Sequence, residues 1–411
     1  MHWASVMPIP VFSLMLLVFS LTTGEFVIAG ILPDVATSLS VSIPAAGLLV
    51  TAYALGMIVG GPVVTALTAR LARKPLIVGL IVVSVIGNLG SAMAPNYAVL
   101  LTSRFVAGLV VATFFAVAII TAVSMAPTGR QASTVAKVTL GLNLGIILGT
   151  PVGTVIGQNL GWRATFVTVA ALTTVGLLLV LRLIPAGPAA TTGSILRELR
   201  VFASRDLQLA IVLTAVGNVG IVTVFTYIAP LLTDVGGFAA GAVPALLLVY
   251  GAGAVVGNFL GGRLSNTALM PSLVGLLAVL AGILALFWLV SGVQAAAVIL
   301  TFVIGVLAFA IIPGMQTRVM TTAATAPTLA LAVNASGFQV AAAFAGWLGG
   351  RVIDSSLGLR SIYLVGGLLT VAGLAIAVYS LRRDRRRMPP PAEHTSVAGG
   401  AASRTSSTSP R

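Results

Sequence analysis

The stretch VFSLTTGEFVIAGILPDVA, residues 18–36, places a carboxylate where the chain is otherwise apolar or weakly polar. No charged residue lies between Val11 and Gly24, and apolar residues and glycines follow Glu25 as far as Leu32. A run of about 20 such residues is long enough to cross a hydrocarbon core of about 30 Å. An ionisable group inside it is costly and is read as functional by default. The question is what answers its charge.

Working outward, runs of this kind recur along almost the whole of the 411 residues, of which 58% are hydrophobic and 7% charged. Soluble domains carry about 25% charged residues, so folding in water is excluded. Backbone groups in lipid must be satisfied within the chain, and without period-2 alternation the segments are helices and not barrel strands. Breaks at Pro, Gly and charged clusters predict twelve spans: 10–32, 44–66, 75–94, 98–124, 132–157, 164–184, 207–231, 243–264, 271–291, 295–315, 328–350 and 361–381. The fold class is an all-α membrane protein.

With the N-terminus inside, the 22 basic residues fall on the cytoplasmic side, apart from Arg163, Arg351 and Arg360 outside and Arg104 within a span. This is the positive-inside bias, and it accounts for the net charge of +14 without nucleic acid. Both termini are expected in the cytoplasm. The first run has no basic leader and is too long for a cleavable signal peptide. Residues 185–206, with Pro185, Pro188 and scattered charges, read as a linker between an N-terminal half (1–184) and a C-terminal half (207–384). The tail, 385–411, is Pro/Ser/Thr/Ala-rich and expected to be disordered. The basic cluster at 382–387 reads as a stop after the last helix, with anionic lipid as a further candidate partner.

The two halves repeat at an offset of 197 residues. Pro33 maps to Pro230, Tyr53 to Tyr250, Gly56 to Gly253, Gly60 to Gly257, Gly149 to Gly346 and Gly153 to Gly350. LGWRATF at 160–166 maps onto LGLRSIY at 357–363, with Arg163 on Arg360. Parallel repeats of this size place a substrate site at mid-membrane between two halves that rock about it.

Over residues 10–385 the chain resembles the major facilitator superfamily, in its twelve-helix drug:proton antiporter branch. GGPVVTALTARLARKPL (60–76) resembles the superfamily's signature loop through Gly61, Arg70, Arg73 and Lys74. Ala69 stands where most members carry an aspartate, and Ala72 where they carry a glycine. The basic residues are expected to bind helix C-termini or lipid phosphates. LLTSRFVAGL (100–109) resembles the motif of the fourth helix through Arg104 and Gly108. GLNLGIILGTPVGTVIG (141–157) resembles the antiporter motif of the fifth through Gly145, Gly149, Pro151, Gly153 and Gly157. TTGEFVIAGILPDVA, FTYIAPLLTDVGGF (225–238) and GGRLS (261–265) look most like chloramphenicol-efflux members, and purine and sugar exporters share the first pattern.

Depth assigns the partner of Glu25. It lies about 12 Å from Pro33, and Arg104 about 9 Å from Ala98, both from the outer face. In the resembling fold the first and fourth helices both line the cavity, so Arg104 is the expected partner. Burial favours a neutral carboxyl group and a neighbouring guanidinium a charged one, so a rearrangement that changes their separation would move a proton. The alternative is a static pair that fixes helix packing. Asp34 at the outer mouth is a candidate relay, against a capping or solvated role. The driving force would be about 1.4 kcal/mol per pH unit and about 2.3 kcal/mol per charge per 100 mV.

The glycines at 145, 149, 153 and 157 share one helix face, which permits close approach. They are expected to pack against a helix of the other half and gate access, with Pro151 bending the helix. Asn143, Asn218, Asn258, Asn334 and Gln339 are amides within spans, of which Asn218 and Asn334 are first choices for the cavity. Phe115, Tyr227, Tyr250 and Phe338 are candidates for an aromatic pocket. With no cysteine and only His2 and His394, no metal site is expected. There is no phosphate-binding glycine loop, no catalytic constellation and no implied cofactor.

The expected activity is proton-coupled efflux of a small amphipathic drug of the chloramphenicol type, by a monomer whose partners are drug, protons and lipid. The alternatives are a purine or sugar exporter, for which the spans offer few polar groups, and a membrane sensor or scaffold, which needs neither the embedded charges nor the glycine face. The preponderance of arginine over lysine points to a GC-rich bacterium, and so to its inner membrane.

Overall fold

A computed structural model describes residues 7–68, 70–127, 129–185, 204–323 and 327–387, without side chains at 132, 327–333 and 387. Ala69 of the signature loop, the linker from 186 to 203 and the tail from 388 lie outside the described residues. Every described element is a helix. Ten of them are long and apolar enough to cross a membrane. One of these, Val243–Val290, crosses twice, because Ala268 leaves helical geometry at φ −153° and ψ 78°. Pro327–Ile353 supplies the one crossing still to be counted, so the twelve expected spans are present.

In order, α1 is Ile9–Phe26, interrupted at Val27 and resumed as Ile28–Ser38. α2 is Ile43–Thr68 and α3 is Arg73–Ala92. α4 joins Tyr97–Leu109 to Val111–Ser124. α5 joins Gln131–Leu144 to Thr150–Leu160 through a π-helical turn at Gly145–Gly149, and α6 is Trp162–Leu183. α7 runs over Arg205–Thr226, then Ile228–Pro230 and a second π turn, Leu231–Val235. α8 and α9 are the two arms of Val243–Val290, α10 is Gln294–Thr322, α11 is Pro327–Ile353 and α12 is Ser361–Arg387. Many hydroxyls inside the spans bond back along their own helix, as Thr154 does to the Thr150 carbonyl (2.8 Å) and Thr223 to that of Val219 (2.7 Å), and others reach a neighbouring helix, as Thr165 does to the Gly153 carbonyl (2.9 Å). Where such a bond forms, the hydroxyl is satisfied without water.

The offset of 197 reappears as matching contacts. A Cβ on Gly56 or Gly60 of α2 would strike the backbone of α4 at Phe105 and Leu109; one on Gly253 or Gly257 of α8 would strike α10 at Phe302 and Val306. Gly108 and Gly305 return the contact onto the Tyr53 and Tyr250 carbonyls. Gly161 and Gly358 both turn the chain at positive φ, 86° and 71°. Just beyond them, Arg163 donates to the Ala94 carbonyl (2.9 Å) and Arg360 to that of Trp288 (2.8 Å), each beside the end of the third helix of its half.

The ends of the bundle differ. The proximal end holds Ile9 and Arg387; the distal end holds the turns after α1, α3 and α5. The halves meet from mid-depth to the distal end. There Thr51 Oγ1 of α2 donates to the Ala343 carbonyl of α11 (2.8 Å), and Gln158 Nε2 of α5 to that of Ala240 (2.8 Å). Tyr227 fills the space that a side chain on Gly47 would need, while its hydroxyl donates to the Gly346 carbonyl at 2.6 Å.

Helix α5 corrects one expectation. Cβ atoms at Gly145, Gly149, Gly153 and Gly157 would meet Thr22, Thr23, Val27 and Ile31, so this face packs on α1 of its own half. Four-residue spacing matches one helix to another whichever half supplies the partner. The cross-half contact lies elsewhere on α5, where Ile147 sits against Gly251 of α8. Pro151 lacks the N–H that would bond the Ile147 carbonyl, and the turn before it widens into the π segment.

Candidate functional site

Glu25 stands one residue before Phe26, the last of the first arm of α1. The final carbonyls of such an arm lack partners within it, and no water is at hand in lipid. Arg104 of α4 supplies the donors: its guanidinium bonds the Gly24 carbonyl at 2.8 Å and the Glu25 backbone carbonyl at 3.3 Å. It is 0% exposed, lies 4.3 Å above the Tyr53 ring and is 5.5 Å from that of Phe166. A cation at a helix C-terminus is also favoured by the helix dipole. The expected pairing of side chain with side chain is therefore corrected. Arg104 meets the backbone of Glu25, because the broken helix presents carbonyls that need its donors.

The carboxylate turns the other way. Gln339 of α11 donates from Nε2 to Glu25 Oε1 at 3.0 Å, across the boundary between the halves. Around them is a narrow cavity lined by Phe26, Ile28 and Ala29 of α1, Val50, Tyr53 and Ala54 of α2, Val222, Phe225 and Thr226 of α7, and Ala342 of α11. It holds room for little more than a water molecule. Aromatic rings continue from it into the second half: Phe26 meets Phe225 edge-on at 6.0 Å, Phe225 lies 5.0 Å from Tyr250, and Tyr250 meets Phe309 at 6.3 Å. The site offers a carboxylate, an amide, one threonine hydroxyl and the phenol of Tyr53 in an apolar, aromatic cleft. That is the usual composition of a pocket for a mostly apolar ligand.

The other expected residues divide. Tyr250 stands behind Phe225 in the ring chain, whereas Tyr227 is buried in the distal seal. Asn218 is buried within the second half, donating to the Thr214 carbonyl at 2.7 Å and lying 3.2 Å from the Met315 sulfur, so it braces α7 against α10 and does not face the cavity. Asn143, Asn334 and Phe338 do not line the cavity either; Asn334 is buried, and the other two are half-buried. Asp34 lies at the distal surface, in a shallow groove with Thr37, Gln158 and Arg163. In the signature loop Lys74 donates to the Leu181 carbonyl at the end of α6 (2.8 Å), Arg70 is exposed, and Gly61 lies beside Ala112. Arg73 opens α3.

Val222, Phe225 and Thr226 of the lining were not singled out from sequence, and Gln339 was not preferred among the amides. Depth would have found Gln339. Counted from the distal ends at Ser38 and Ile353, Glu25 and Gln339 both lie about 20 Å down.

A sequence model of the family described as Major Facilitator Superfamily matches residues 14–329. The uncharacterized transporter YfhI of Bacillus subtilis (strain 168) is 33% identical over 92% of this chain and 95% of its own. A chloramphenicol resistance protein of Streptomyces lividans is 35% identical over 90% of this chain and 96% of its own. Among solved structures, a bacterial homolog of the human lysosomal transporter Spinster, in an inward-facing and occupied conformation, aligns with a TM-score of 0.72. It is 18% identical and covers 93% of this chain and 98% of its own, which is a likeness of fold.

Proposed function

Because this chain belongs to the major facilitator superfamily and is a transporter, not an enzyme, we propose that it exports a small amphipathic drug in exchange for protons. The observation that carries the reading is the Glu25 carboxylate in an apolar, aromatic cleft where the two halves meet, with one donor from the opposite half. A titratable group at that position can be offered to one side of the membrane and then the other. The rings accept the apolar body of a drug, and Glu25, Gln339 and Thr226 its few polar groups. A purine or sugar would call for more hydrogen-bonding groups than these. The likeness to the Streptomyces resistance protein supports chloramphenicol as the first substrate to try.

The proximal end, where the described basic residues gather, is assigned to the cytoplasm. The described state is then closed on the outside. The chain works as a monomer in a bacterial inner membrane, α5 and its glycine face carry the movement of α1, and Asp34 stands at the outer entrance. In everted vesicles with an acidic lumen, chloramphenicol is expected to enter as protons leave, and the lumen turns less acidic only when drug is supplied. Drug accumulation at an unchanged rate after the gradient is collapsed overturns the coupling.

A further inference from the structure

If the two halves rock as bodies, most of what surrounds Glu25 travels with it. Arg104 on α4 is fixed to the Gly24 and Glu25 carbonyls, and Tyr53 on α2 lies under that guanidinium with its hydroxyl 3.4 Å from the Leu21 carbonyl. Both belong to the first half, as does Asp34, remote at the distal surface. The first-half helices α5 and α6 bring no side chain to the cleft lining. From the second half, α7 contributes Val222, Phe225 and Thr226, none of which titrates, and α11 contributes Gln339 and Ala342. Among the described residues of that lining, Gln339 is thus the donor to the carboxylate that arrives and departs with the other half.

The orientation of the amide matters. Its Nε2 reaches Glu25 Oε1 at 3.0 Å, while its Oε1 is buried and meets no donor. A protonated Glu25 could donate an O–H to that oxygen, whereas an ionised one only accepts. The arrangement serves the ionised form, and a hydrogen bond to a charged form favours that form.

We propose that Gln339 is the proton-release residue of the cycle: closure of the distal end brings its N–H to Glu25 and expels the proton that Glu25 took up when that end was open. Only the O–H bond of Glu25 is made and broken. The proton enters from water at the distal side and leaves to water at the proximal side. Uptake outside and release inside then follow from one amide that is absent in the first state and present in the second. The proposal rests on the proton-coupled reading above. Gln339 acts as a positioning residue, through the carboxylate.

The test measures chloramphenicol transport in proteoliposomes while absolute pH is varied at a constant pH gradient, for wild type, Gln339→Leu and Gln339→Met. Without the amide donor Glu25 keeps its proton, so the acidic flank of the profile moves to higher pH. The expected shift is roughly one pH unit, a roughly tenfold change in proton binding. Transport on that flank falls by a similar factor and recovers at alkaline pH. Should the leucine variant not fold, the methionine variant, closer in shape to glutamine, carries the test. A uniform loss at every pH, with the profile unmoved, overturns the proposal and leaves proton coupling standing. A wild-type profile that is flat, with transport indifferent to the gradient, removes both.

Discussion

Arg104 is among the largest side chains in the protein to be buried completely, and its charge is answered by carbonyl oxygens and an aromatic face. A helix that stops inside a membrane leaves carbonyls in need of donors, and a guanidinium supplies two in a fixed fork. Arg104→Ala would leave the Gly24 and Glu25 carbonyls bare, at about 1–3 kcal/mol for each buried unsatisfied group. The purified protein is expected to melt earlier. Arg104→Lys should restore only part of the loss, since one ammonium lacks the fork. An unchanged melting temperature for the alanine variant would show that the capping contributes nothing. At this scale the sequence made Glu25 and Arg104 conspicuous, because each is a lone charge in an apolar run. It did not show their contact. A count of residues along a helix gives depth, but not whether a side chain reaches a carboxylate or the backbone behind it.

At the scale of elements, the repeat carried from sequence to structure because glycine has a geometric reason at those positions. Gly60 and Gly257 sit where a methyl group would overlap the carbonyl oxygens of Leu109 and Val306, whereas a Cβ on Gly79 would meet nothing within 4 Å. Gly60→Ala and Gly257→Ala are therefore each expected to destabilise by about 1–3 kcal/mol, the range for overpacking. Gly79→Ala should stay within about 0.5 kcal/mol of wild type, as surface substitutions do. Thermal melts of the three variants in one detergent decide this, and equal losses in all three would mean that packing at the α2–α4 and α8–α10 crossings is not the cause. The glycine face of α5 was equally legible, but its partner was not. Period four says that a helix can come close and leaves open which one does. The π turns at Gly145–Gly149 and Leu231–Val235 had no more than a neighbouring proline as their signal.

For the whole molecule, twelve apolar runs were enough to read the helical architecture, since a bilayer allows few alternatives. Which end of the bundle is shut was not legible. It depends on contacts such as Thr51 with Ala343 and Tyr227 with Gly47, between residues far apart in sequence. The assigned orientation predicts that a fluorescent protein fused after Arg411 lights up, while a phosphatase active only outside the cytoplasm stays silent there. The reverse pattern would invert the assignment.

The most direct measurement is the accumulation of labelled chloramphenicol by cells stripped of their own pumps, expressing wild type or Glu25→Gln, with and without an uncoupler. Wild-type cells are expected to hold the drug at a low level. That protection should vanish with the uncoupler, and equally with the substitution. Protection that survives Glu25→Gln would contradict the assignment of Glu25 as the proton carrier.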